Sequence, residues 1–255
     1  MKRFVVYTML LSILTLSASR LANAAVSIPI INSKHNLSTS GTGSIKSGAV
    51  GLGGTSEVCV FCHTPHGASQ DSANGINTLL WNRVSSPPTG YTYKAYTSAT
   101  MTNSMSTGKP TGVSMMCMSC HDGVTSIAVN TLLNGPGSGN PTIEVDPFSG
   151  INTRGAIGSQ GGFGSNPINI GDAIYGASGS PGSIVDMSND HPISFDWPTG
   201  KAGLQATPTN IALRLFGAGK RVECATCHLV HDNAIPPFLA MSNVSSNMCK
   251  ACHIK

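Results

Sequence analysis

The chain has 255 residues, of which 40% are hydrophobic, only 10% charged and 5% aromatic, with 29 Gly and 15 Pro. Soluble domains average about 25% charged residues, so the composition is unusual for a globular domain of this size. A formal charge of +4 without a basic stripe excludes a nucleic-acid grip. So few aromatics among so many turn formers are weak means of building a conventional core. Either much of the chain lacks structure or a non-protein group supplies the apolar mass.

Residues 1–24 read as a signal peptide. Lys2 and Arg3 precede an apolar run, residues 4–16, and Ala22-Asn23-Ala24 forms an A-x-A cleavage site before Ala25. The run is too short for a membrane-spanning helix, and no later stretch is long and apolar enough. The expectation is an exported chain with no membrane span, residues 25–255 forming a single domain. The leader holds Lys2, Arg3 and Arg20 and no acids, so 15 Lys+Arg less these three leaves 12 against 11 Asp+Glu, about +1.

The eight cysteines fall in four copies of one segment: Cys59-Val-Phe-Cys62-His63, Cys117-Met-Ser-Cys120-His121, Cys224-Ala-Thr-Cys227-His228 and Cys249-Lys-Ala-Cys252-His253. C-x-x-C-H is the attachment motif of c-type haem. Cysteines at i and i+3 share one helical face and can each form a thioether with a haem vinyl group. Histidine at i+4 lies on the same face and reaches the iron. Zinc or redox C-x-x-C pairs, or the disulfides common in exported chains, leave the four adjoining histidines unexplained. Four covalently bound haem c groups are therefore expected, with His63, His121, His228 and His253 as proximal ligands.

Four further histidines remain: His35, His66, His191 and His231. Four irons have four distal positions, so supply matches demand and all-bis-His ligation follows. His66 and His231 each lie three residues after a proximal histidine, which is too short a reach to cross their own haem, at most about 10–11 Å of chain. Each must serve a neighbouring haem. His35-Asn-Leu-Ser38 and His191-Pro-Ile-Ser194 share a second context, and each precedes a C-x-x-C-H-x-x-H segment. The chain thus reads as two halves, 35–121 and 191–253. Within each half, spacing assigns His66 to the haem on Cys117/Cys120 and His231 to that on Cys249/Cys252. His35 and His191 are left for the haems on Cys59/Cys62 and Cys224/Cys227. Met115, Met116, Met118 and Met248 lie near the motifs as rival ligands, but flexible methionines suit packing against the rings.

The motifs are separated by 53, 102 and 20 residues. The long gap, the glycine-rich region 122–190, carries Gly clusters at 135–139, 150–164 and 176–182, which read as turns and loops. A helix is expected over 210–217, with Ile211, Leu215 and Phe216 as its apolar stripe, and a short strand or extended loop over 91–96. The fold class expected is a multihaem cytochrome c: mostly coil, with short helices and few strands, packed around four stacked haems.

The run Cys59-Val-Phe-Cys62-His63-Thr-Pro-His66-Gly67, with His35-Asn-Leu-Ser and Asp190-His191-Pro-Ile-Ser, resembles the multihaem cytochromes of metal-reducing microbes. In plan it is most similar to the OmcE-type tetrahaem outer-surface cytochromes. The resemblance implies bis-His haems in stacked and T-shaped contact and a homopolymeric extracellular filament. It also implies other redox cytochromes as donors and external electron acceptors. It places an N-terminal histidine, His35 by position, on a haem of the adjacent subunit. The same motifs occur in monomeric periplasmic shuttles. A reductase needs an open iron position, and the histidine count leaves none, so no enzyme activity is expected.

Overall fold

The computed structural model describes residues 29–43, 45–48, 54–73, 75–83, 91–101, 105, 108–122, 132–135, 143–145, 172–175 and 181–254. The signal peptide, the Gly cluster at 150–164 and most of those at 135–139 and 176–182 lie outside the described residues.

Regular elements are short. In chain order they are β1 (Ile45–Ser47), β2 (Thr92–Ala95), α1 (Gly112–His121), β3 (Ile143–Val145), β4 (Asp172–Tyr175), β5 (Pro181–Met187), β6 (Phe195–Asp196), β7 (Arg221–Val222), α2 (Cys224–Cys227) and α3 (Asn247–Lys250). Single 3-10 turns occupy Ile30–Asn32 and Val244–Ser246. The strands pair as β1–β3, β2–β5–β4 and β6–β7. Parallel strands need a long crossover, and the β2–β5 pair, in register Thr92 to Ile184, encloses α1 and much of the glycine-rich region. That region is therefore not loop throughout: β3, β4 and β5 come from it.

Two ion pairs lie directly across strand registers. Lys94 meets Asp186 at 2.8 Å between β2 and β5, and Arg221 meets Asp196 at 2.8 Å between β6 and β7. Both are largely exposed, so each contributes only about 0–1 kcal/mol; they fix register more than they add stability.

Residues 210–217 do not form a helix. Asn210 turns its side chain back to accept from the Ala212 amide (2.9 Å), an Asx turn that competes with helix formation. Of the expected stripe, Ile211 is 97% exposed and Leu215 packs against the Phe195 cluster, while Leu213 is buried. Instead Phe216 and Arg221 exchange backbone hydrogen bonds around Gly217.

Among the described residues the core is divided into small clusters. Val60 and Phe61 pack with Leu132; Ile76 with Met115 and Met116; Met118 with Val185 and Met187; and Phe195 with Trp197 and Val222. Buried residues surround α1 on several faces, Ser114, Met115, Met116, Met118 and Ser119 among them, as expected of a helix enclosed by the chain. Three methionines near the second motif thus pack as side chains among aliphatic neighbours. Among the described residues no helix is long and apolar enough to cross a membrane.

Candidate haem-binding site

None of the eight cysteines is in a disulfide. The Cys-to-His segments are single helical turns. His63, His228 and His253 each donate a backbone hydrogen bond to the carbonyl of the first cysteine of their motif, at 2.8, 3.0 and 2.8 Å, and the second motif ends α1. This i to i+4 closure puts both sulfurs and the imidazole on one face. Capping explains why so short a helix as α2 holds: the Glu223 amide donates to Thr226 Oγ1 at 2.9 Å, and the Thr226 amide donates to the Glu223 carbonyl at 2.8 Å.

Three of the four motifs are held by the same backbone clamp. In the first, the Asn82 amide donates to the Cys62 carbonyl, the Thr64 amide donates to Leu80, and Trp81 bridges His63. In the third, Ala240 donates to Cys227, Leu229 donates to Phe238, and Leu239 bridges His228. In the fourth, Gln205 donates to Cys252, Ile254 donates to Gly203, and Leu204 bridges His253. The residue before the bridge has positive φ each time: Leu80 +54°, Phe238 +59° and Gly203 +83°. Two L-residues held in a region costing about 1–2 kcal/mol mark a constrained geometry.

The clamp also fixes the tautomer. His63 Nδ1 lies 2.6 Å from the Leu79 carbonyl and His228 Nδ1 3.0 Å from the Pro237 carbonyl; His191 Nδ1 lies 2.9 Å from the Pro192 carbonyl. A carbonyl only accepts, so Nδ1 carries the proton and Nε2 presents its lone pair, the usual disposition of a metal-ligating imidazole.

The imidazoles come together in twos. Ring centroids lie 6.0 Å apart for His35 and His121, 6.2 Å for His63 and His231, and 6.4 Å for His191 and His253. Such distances are ordinary for aromatic neighbours, but every pair joins one motif histidine to one of the other four. Imidazoles paired in this way would be suited to hold an iron from two sides. Burial, then the neighbouring His121, His228 and His231, pushes His35 down to about 4, so it is unprotonated at neutral pH, as a ligand must be. Among the described residues no three His, Cys, Asp or Glu groups converge on a bare metal ion. Tethering sulfurs on a helical face, fixed tautomers and paired rings fit haem c.

These pairs differ from those that spacing suggested. His35 meets His121 in its own chain, not the first motif; His231 meets His63, not the fourth motif; and His191 meets His253, not the third. Among the described residues His66 and His228 have no such contact, and His66 is held by its carbonyl, which accepts from Asn134 Nδ2 (2.8 Å) and Thr64 Oγ1 (2.8 Å).

The thiols sit close across motifs. Burial, then Cys120, pushes the Cys62 thiol up to about 12; burial, then Cys252, pushes Cys227 up to about 11. The Cys117 and Cys224 side chains hydrogen-bond to each other, which with burial holds Cys117 protonated as the donor. The second and third motifs are joined further by a polar knot invisible in the cysteine pattern. Glu223 Oε2 accepts from Ser114 on α1 and from Ser194 (2.8 Å). Ser114 Oγ takes the Cys224 amide (3.0 Å), and Ser194 Oγ takes the Thr111 amide (3.0 Å). Burial raises the Glu223 carboxyl, opposed by the two hydroxyls. Ser38, at the matching place after His35, instead closes a local turn on Asn36 Oδ1 (2.7 Å). Around the first motif Asn82 does the comparable joining, its Nδ2 donating to Val60 and Asn134 carbonyls, both at 2.6 Å.

Neither models of known protein families nor curated protein sequences match this chain.

Proposed function

We propose that the chain is an exported tetrahaem c-type cytochrome that carries electrons and has no substrate chemistry of its own. Haem supplies a one-electron ferric/ferrous couple when bound. Cys59/Cys62, Cys117/Cys120, Cys224/Cys227 and Cys249/Cys252 would tether the four groups, and His63, His121, His228 and His253 would ligate from the tethered side. His35, His66, His191 and His231 would close the opposite side. What carries the reading is that each of the three imidazole contacts joins a motif histidine to a non-motif one. Two protein ligands per iron leave no position for a reactant, so the polypeptide's work is to space the groups and shield them from water.

The resemblance extends the proposal to a subunit of an extracellular filament that passes electrons to external acceptors. With His35 against His121 of its own chain, such assembly would need no exchanged ligand. The decisive experiment is mass spectrometry and optical spectroscopy of the protein purified from an exporting host. The expected result is a mass increment of four haems on the chain cleaved before Ala25, with low-spin spectra unchanged by cyanide or nitrite. A high-spin resting species that binds cyanide would overturn the reading and return a reductase to consideration. Micrographs of sheared cell-surface material then separate filament from periplasmic monomer.

A further inference from the structure

We infer that the two C-x-x-C-H-x-x-H segments exchange their second histidines. His231 then ligates the iron on Cys59/Cys62 and His66 the iron on Cys224/Cys227, while His35 serves Cys117/Cys120 and His191 serves Cys249/Cys252. This rests on the bis-His reading above and adds to it which ring belongs to which iron.

Three of the four pairs are drawn by the ring contacts. The fourth follows by elimination, and a second observation supports it. The first and third motifs carry the same clamp, residues 79–82 on the one and 237–240 on the other, with equivalent hydrogen bonds. Their proximal rings are both fixed through Nδ1 to the first residue of that clamp. Two equivalent segments facing each other can make reciprocal contacts, as in an isologous pair, and with three pairs drawn His66 and His228 are the two histidines left for the converse one. A histidine three residues on cannot cross its own haem, so exchange gives both segments a ligand they cannot supply themselves. The chain's halves are therefore tied by ligation, not merely joined by the glycine-rich region.

The consequence is a count. His63→Ala and His231→Ala should each convert one haem of the holoprotein to high spin, read by resonance Raman and low-temperature EPR. Combined, they should still convert only one, because both act on the same iron. His66→Ala with His228→Ala should behave likewise. If the His63→Ala/His231→Ala chain shows two high-spin haems, the exchange is wrong while bis-His ligation stands. If His231→Ala leaves every haem low-spin, the bis-His reading itself fails at this residue. Should the alanine variants not accumulate, methionine keeps six-coordination. His63→Met with His231→Met should give one bis-Met haem, seen as a single shifted potential in a spectroelectrochemical titration, whereas two His/Met haems would refute the exchange.

Discussion

Asn82 shows how much one uncharged side chain can hold. It is fully buried, and besides its two donated bonds its Oδ1 accepts from the Asn134 amide at 2.8 Å. Asn82→Ala would strand two buried carbonyls and an amide at about 1–3 kcal/mol each before relaxation. We expect the holoprotein to lose about 2–4 kcal/mol in denaturant melts. Glu223 is a different case, since burial raises its carboxyl above the ordinary 4.5. A carboxyl raised in the folded state favours folding most below the unfolded value, and that contribution is lost as pH rises through the folded value. Glu223→Gln keeps an acceptor for Ser114 and Ser194 but removes the buried charge. The variant should gain stability relative to wild type as pH increases above 4.5, and thermal melts across that range should diverge. Parallel melting curves would show that the carboxyl is not strained by burial. Neither residue advertises itself in the sequence: Asn82 lies 19 residues beyond its motif, and Glu223 reads as an ordinary acid before a cysteine.

At the scale of elements, the motifs themselves were legible because i, i+3, i+4 spacing is local and a helical turn is the only local geometry that serves it. The clamps were not. They come from Leu79-Leu80-Trp81-Asn82, Pro237-Phe238-Leu239-Ala240 and a segment ending Gly203-Leu204-Gln205, which share no side-chain pattern because they bind through backbone groups. One even precedes its motif in the chain while two follow. Their common requirement is a left-handed residue, which predicts contrasting substitutions. A Cβ at Gly203 would meet nothing within 4 Å, so Gly203→Ala tests conformation alone. It should cost about 1–2 kcal/mol. Leu80→Gly relieves the same strain but frees the unfolded chain, so its net effect should be under about 1 kcal/mol. Equal losses in both variants would mean that side-chain contacts, not φ, set the clamp. The expected helix over 210–217 failed because an Asx turn at Asn210 offered the backbone a closer partner than the next helical turn.

At the scale of the molecule, the described residues form several small apolar clusters, where one continuous core is usual for a domain. Cys62 packs against one of these clusters and Cys252 against another. We expect the exported chain with all eight cysteines changed to alanine to show no cooperative thermal transition by circular dichroism and rapid proteolysis. A sharp transition would mean that the polypeptide folds on its own clusters. Reducing either cross-strand ion pair, as in Lys94→Ala, should move stability by less than about 1 kcal/mol and less still at high salt.

From the sequence by itself came the four C-x-x-C-H segments and the equality of the four further histidines to the four motifs, because each depends on spacing within five residues or on counting. Which further histidine lies beside which motif histidine was decided only by tertiary structure. His231 and His63 are 168 positions apart, and their meeting depends on how clamps, the Glu223 knot and the β6–β7 pair orient whole segments. Chain proximity suggested neighbours within a half, but for His63 and His231 packing between the halves chose the ring contact.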